Sequence, residues 1–255
     1  MNILVIGDVI GSPGRHALNT LLPGLRKEYK IDMAIVNAEN AAGGIGVTPG
    51  AAQEMLEMGA DVLTSGNHIW AHKDIIPYLD SEMRILRPLN YPPGVPGHGY
   101  VINSRVMVVN IIGRTFIGNF DCPFRAMDKL LAEVKNKPPV IIVDFHAEAT
   151  SEKVAMGRYL DGRVSAVLGT HTHIGIIDTQ ILPGDTAYVT DIGMTGPSDS
   201  IIGDEIDSVI DRFLTALPHR LTVGRGKVSF TGIFLDIDET TGKARNITRI
   251  NREVS

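Results

Sequence analysis

The chain has 255 residues, a net charge of −5, a hydrophobic content of 44% and a single cysteine, Cys122. This composition excludes an intrinsically disordered chain, and the acidic balance argues against a binder of duplex nucleic acid. A lone cysteine excludes an intrachain disulfide and points to a reducing, cytoplasmic setting; with no apolar run near the ~20 residues of a membrane span, no membrane association is expected.

Strand-like sequence begins at Asn2, so no leader is expected, and residues 3–7 read as the first strand. After a Gly-Ser-Pro-Gly turn, residues 15–29 read as a helix that Pro23 interrupts or kinks. A strand is expected at 33–38, and Thr48-Pro49 reads as an N-cap followed by a first-turn proline, opening a helix to about Met58. A strand at 61–65 and a helix near 70–80 come next, then a β-rich stretch from 84 to 112. Helices near 123–136 and 151–160 alternate with strands at 140–145 and 165–169. The chain closes with strands at 187–191 and 227–237 around a helix at 204–215. The pattern predicts an α/β fold of mixed sheets covered by helices, as a single domain over residues 1–255.

Short apolar runs repeatedly stop at residues that can ligate metal. ILVIG ends at Asp8, MAIVNA at Glu39-Asn40, VLTSG at Asn67-His68, VIIVDF at His146, and AVLGT at His171-Thr172-His173. The ends of strands in α/β sheets are where ligands bind. Singly, such an Asp is an ordinary turn former and such a His an ordinary structural residue. Together, oxygen donors and imidazoles suit a pair of transition ions, and paired ions cleave phosphoesters. Glu39 is long enough to bridge them, and Asn67 offers a neutral carbonyl oxygen. If the backbone is extended there, His171 and His173 point the same way.

The order Asp8, Glu39-Asn40, Gly66-Asn67-His68, His146, Gly169-Thr170-His171-Thr172-His173 resembles the calcineurin-like metallophosphoesterase superfamily. Three departures stand out: Ile10 where the pattern has histidine, Glu39 where it has a bridging aspartate, and Ile69 after Gly-Asn-His where an acidic residue is common. Asn40 is the candidate to replace the missing histidine. The stretches GDVIGSPGR, NAENAAGGIG, SGNHIW, DFHAEATSEK, GTHTHI, TDIGMTGP and GKVSFTGI are similar to those of the bacterial YmdB-type branch. That resemblance implies a four-layer α/β/β/α sandwich, a homo-oligomer, and a two-metal site holding iron, with manganese or zinc as alternatives. It also implies hydrolysis of 2′,3′-cyclic nucleotides, or of a small RNA-derived substrate, to the 3′-monophosphate.

In the implied mechanism one ion takes Asp8, Glu39, Asn40 and His173. The other takes Glu39, Asn67, His146 and His171. A hydroxide bridging the ions attacks phosphorus, and His68 protonates the leaving oxygen. Asp144 reads as a supporting partner of His146 or a satisfied core carboxylate, and Glu148 as a helix cap or an orienter of a ligand. The alternatives are a phosphomonoesterase or broad-specificity phosphatase, and a nucleotide-sensing regulatory protein that retains the metal site.

Overall fold

The structure, a computed structural model, describes residues 1–103 and 105–254. The first half runs β1 (Asn2–Ile6), β2 (Asp8–Val9), α1 (Gly11–Glu28), β3 (Met33–Asn37), α2 (Pro49–Glu57), β4 (Val62–Thr64), β5 (Tyr100–Asn103) and β6 (Val106–Ile112). The second half runs α3 (Pro123–Glu133), β7 (Val140–His146), α4 (Thr150–Leu160), β8 (Ala166–Thr170), β9 (Gln180–Ile181), β10 (Ala187–Val189) and β11 (Met194–Pro197). It closes with α5 (Ile206–Thr215), β12 (Val228–Ile237) and β13 (Ala244–Val254).

The strands form two mixed sheets. The first is 7-stranded in the order β2-β11-β12-β1-β3-β4, with β13 paired to β12. Its β1, β3 and β4 are parallel, and β12 lies antiparallel to β1. The second is 6-stranded in the order β5-β6-β7-β8-β10-β9, parallel from β6 to β10 with antiparallel edges.

Strand alternation sorts the core. Ile3 and Val5 of β1 join Val140 and Ile142 of β7 in a cluster drawn from both sheets. The opposite β1 side chains, Leu4 and Ile6, pack with Leu18 and Leu22 of α1 and Met55 of α2. The opposite β7 side chains, Ile141, Val143 and Phe145, pack with Met127 of α3 and Met156 and Leu160 of α4. Both faces of β1 and β7 are therefore apolar, as their continuous hydrophobic runs require.

Local differences from the sequence reading have identifiable causes. Helix α1 begins at Gly11 rather than 15, because Pro13 falls in its first turn, where a missing N–H costs no helical bond. It runs on through exposed Pro23. The helix expected near 70–80 is instead a turn followed by a 3-10 segment, Lys73–Tyr78, containing Pro77. The long strand β13 was not anticipated. Its apolar residues are sparse, and only Ala244, Ile250 and Val254 are buried.

Candidate active site

Every expected donor lies at one edge of the two sheets. Asp8 opens β2, Glu39 and Asn40 follow β3, Asn67 and His68 follow β4, His146 ends β7, and His171 and His173 follow β8. Asp8, Glu39 and His146 are completely or almost completely buried. A backbone bridge joins Ile10 to Asn40. Ile10 is itself buried against Gly196 and Gly203. Asn40 thus stands beside the position where the superfamily pattern has its histidine.

The ring nitrogens divide their work. His146 Nδ1 lies 3.0 Å from Thr170 Oγ1, whose hydroxyl donates to Asp144 Oδ1 at 2.7 Å. Thr170 therefore accepts from His146, and the neutral ring keeps a lone pair on Nε2. His171 Nε2 faces the Glu148 carboxylate at 2.9 Å, which leaves the lone pair on Nδ1. These two free nitrogens are 3.1 Å apart. Asn67 Oδ1 is 3.2 Å from His146 Nε2, and Glu39 Oε1 is 3.7 Å from it. His173 Nδ1 donates to the Ile202 carbonyl at 2.6 Å. The Asn40 amide is satisfied with its nitrogen donating to the Glu39 and Gly44 carbonyls, 3.3 and 3.2 Å away, and its oxygen placed to accept from His173 Nε2 at 3.0 Å. Asp8 Oδ1, 3.8 Å from that nitrogen, is buried with no hydrogen-bond partner.

In the first group the His146 Nε2 and His171 Nδ1 lone pairs face each other beside Asn67 Oδ1, and in the second Asp8 Oδ1 is left without a partner beside His173 Nε2 and the Asn40 oxygen; a cation in each would satisfy them. Among the described residues, no group of three or more His, Cys, Asp or Glu side chains is arranged to hold an ion. Both groups rely on an asparagine oxygen in addition to those residue types. The donor chemistry nevertheless fits a pair of transition ions.

The electrostatics agree. Burial pushes the Glu39 carboxyl well up, opposed by the backbone N–H groups of His68 and Gly66 that donate to it. Burial also raises Asp8, opposed by nearby His173. It drives His146 well down, holds His171 at about 4 and lowers His68. Neutral imidazoles carry the lone pairs a metal needs, and buried carboxylates call for a compensating cation.

His68 has a different environment. Its side chain is 36% exposed. Both polar neighbours of the ring meet Nδ1: the Asn40 side-chain amide at 3.2 Å and Glu39 Oε1 at 3.4 Å. Among the described residues Nε2 makes no hydrogen bond.

Several supporting residues were not singled out from sequence. Asn37 and Thr64 at the ends of β3 and β4 both donate to Asp144 Oδ2 on the other sheet, at 2.9 and 2.5 Å. Asp144 is therefore satisfied, although burial still raises its carboxyl to about 6. Asn110 of β6 exchanges two hydrogen bonds with the Ser65 backbone. The only signal in sequence was a polar residue at the apolar end of a strand. Beneath the histidine loop lies a buried ion pair, Lys153 Nζ to Asp191 Oδ2 at 2.5 Å. The same Asp191 oxygen accepts from Thr172 N and Oγ1, at 3.2 and 2.8 Å.

Some expectations change. His171 and His173 are not extended: both have positive φ, 99° and 65°, so each ring turns to its own donor group. Glu148 does not cap α4 but contacts His171. Glycine at 66 has a steric cause, since a Cβ there would lie 2.2 Å from the His146 ring.

The chain is similar to known proteins along nearly its whole length. The chain is 48% identical over 254 residues to the 2′,3′-cyclic-nucleotide 2′-phosphodiesterase of Bacillus subtilis (strain 168), covering 98% of this chain and 96% of that protein. The fold matches the crystal structure of a hypothetical protein from Thermus thermophilus with a TM-score of 0.93 and 43% identity, covering 99% of both chains. It matches that of a phosphatase from Mycoplasma pneumoniae with a TM-score of 0.93 and 31% identity, covering 99% of this chain and 93% of the other. Residues 4–250 match the family described as YmdB-like protein, and the chain belongs to that family.

Proposed function

We propose that this protein is a metal-dependent phosphodiesterase that opens 2′,3′-cyclic nucleotides to 3′-monophosphates. The observation that carries the reading is the convergence of lone-pair donors in two groups beside the free Nε2 of His68. The B. subtilis relative's name supports the substrate. One ion would be held by Asp8, Glu39, Asn40 and His173, and the other by Glu39, Asn67, His146 and His171. Iron is the leading candidate, with manganese or zinc next. When bound, such ions activate water near neutral pH and neutralise phosphate charge.

The protein's own groups do the rest. Glu39 is fixed by the N–H groups of Gly66 and His68, so it cannot swing away from the shared position. Thr170, Glu148 and Ile202 set the tautomers of His146, His171 and His173. As an imidazolium, with Nδ1–H toward Glu39 Oε1 at 3.4 Å, His68 can offer its Nε2–H to the departing ribose 2′ oxygen. Water oxygen bonds to phosphorus and releases its proton to solvent, the bond from phosphorus to the 2′ oxygen breaks, and the Nε2 proton of the His68 imidazolium completes the 2′-hydroxyl, leaving a neutral ring.

The same reading includes a single domain over residues 1–255 and the layer order helix, sheet, sheet, helix; apolar clusters drawn from α1 and α2, from both sheets, and from α3 and α4 support that order. It includes a homo-oligomer, supported by the exposed apolar side chains of α5, among them Phe213 at 84% and Leu214 at 79%. It also includes a cytoplasmic setting, supported by the lone cysteine; among the described residues no helix is long and apolar enough to cross a membrane.

The test is chromatography of products after incubating metal-loaded protein with 2′,3′-cyclic AMP. Adenosine 3′-monophosphate as the single product is expected. No turnover overturns the reading. Rapid release of free phosphate would favour the phosphomonoesterase alternative, which the name of the Mycoplasma relative keeps in view.

A further inference from the structure

A cavity of about 840 Å³ lies outside the donor cluster, and contacts behind two of its walls lead back to the cluster. On one wall Trp70, two residues beyond His68, meets Tyr91 edge-on at 5.5 Å, and Tyr91 meets Phe120 at 5.0 Å. Tyr91 and Phe120 both line the cavity, with Tyr100. On the other wall the Gly113 N–H donates to the His146 carbonyl at 2.9 Å, and the next residue, Arg114, lines the cavity.

The charge of this cavity opposes that of the chain. Arg87, Arg114, Arg125 and Lys129 line it against Asp121 and Glu133, in a protein of net charge −5. Arg87 is committed to the carbonyls of Pro88 and Pro96, at 2.8 and 3.3 Å. Arg114, Arg125 and Lys129 are exposed, and their side chains have no hydrogen bond or ion pair among the described residues. Arg125 and Lys129 lie one turn apart on α3, so both heads can address one strand of phosphates.

Uncompensated cations interleaved with aromatic rings are what a single strand of nucleotides requires: phosphates pair with the cations and bases stack on the rings. The volume lies within the range of nucleotide-sized ligands. A 2′,3′-cyclic phosphate requires a ribose 2′ oxygen, so a strand whose end enters the donor cluster must be RNA. We infer that the preferred substrate is a short single-stranded RNA ending in a 2′,3′-cyclic phosphate, with its terminal residue at the donor cluster and its preceding nucleotides in this cavity. The inference rests on the phosphodiesterase reading for the identity of the end. Such ends arise when a ribose 2′-hydroxyl attacks the adjacent phosphodiester and the 5′ oxygen leaves. The enzyme would therefore act after RNA cleavage by transesterification.

The test uses the full chain and 5′-fluorescein-labelled tetra-adenylate ending in a 2′,3′-cyclic phosphate. Binding is read by fluorescence anisotropy, and turnover is read against 2′,3′-cyclic AMP. We expect the tetranucleotide to bind at least about tenfold tighter than 2′,3′-cyclic AMP competes. In Arg125→Ala/Lys129→Ala that advantage should collapse. The slope of log affinity against log salt should fall by about 1.4, at ~0.7 per lost phosphate contact. Phe120→Ala should weaken tetranucleotide binding about fivefold or more through lost stacking. A double variant that binds the tetranucleotide as tightly as wild type, or a wild type that prefers the mononucleotide, overturns the inference. If the tetranucleotide binds through Arg125 and Lys129 but neither substrate is hydrolysed, the phosphodiesterase reading fails while the RNA cavity stands. If only 2′,3′-cyclic AMP is bound and hydrolysed, the reverse holds.

Discussion

A proton donor and a metal ligand can be told apart at His68 by changing the leaving group. His68→Ala should lower turnover of 2′,3′-cyclic AMP by about 10²–10⁴-fold while bound metal is retained. A nitrophenyl phosphodiester, whose leaving group needs no proton, should be much less affected; equal slowing of both substrates, or loss of metal, would remove His68 from the acid role. Thr170 tests the opposite case, a residue that acts only through another. Its hydroxyl lies between His146 Nδ1 and Asp144. Thr170→Val should weaken metal binding by about 10–100-fold, read by titration with a chelator, without unfolding the chain. At this scale the donors were legible because each interrupts an apolar run where a strand must end. Asn37, Thr64 and Thr170 were not, because their partner Asp144 is distant in sequence and only the meeting of two sheets brings them to it.

The loop carrying His171, Thr172 and His173 follows β8 and rests on Asp191, which the α4 residue Lys153 neutralises. Positive φ at both histidines carries a backbone cost, and this carboxylate supplies hydrogen bonds that hold the loop there. Lys153→Met would leave Asp191 buried without its cation, and a loss of about 3–5 kcal/mol is expected in urea unfolding. A change under ~1 kcal/mol would show that water or a shifted side chain replaces the lysine. The reading of elements from sequence succeeded where periodicity was strong, as in β1, β3 and β7, whose side chains alternate between two apolar layers. It failed at β13, because only a few of its side chains face the core and the strand is defined by pairing along β12. At 70–80 a helix-like composition yielded to Pro77 and to the turn that seats His68.

For the molecule as a whole, α5 presents an unusual face. Only Val209 of that helix is buried, while Ile206, Ile210, Phe213 and Leu214 face outward with Leu217 just beyond. Light scattering should give a mass above that of one chain, and Phe213→Ser/Leu214→Ser should reduce it with metal content unchanged. A wild-type protein of 27.6 kDa in solution would remove α5 as an interface between copies.

The donors themselves are shared between the two sheets. Asp8, Glu39 and Asn67 come from the ends of strands in the first, and His146, His171 and His173 from the second. A cation pair bound across that seam would act as a rivet: the layers could not part without breaking ligand bonds. Its effect should therefore be on the lifetime of the native state as well as on its equilibrium. Stripping metal with a chelator should accelerate unfolding in a stopped-flow jump into denaturant while leaving the rate of refolding nearly unchanged, because the seam closes only after both sheets exist. If refolding slows instead, the ions organise the sheets early, and the seam is a template for folding.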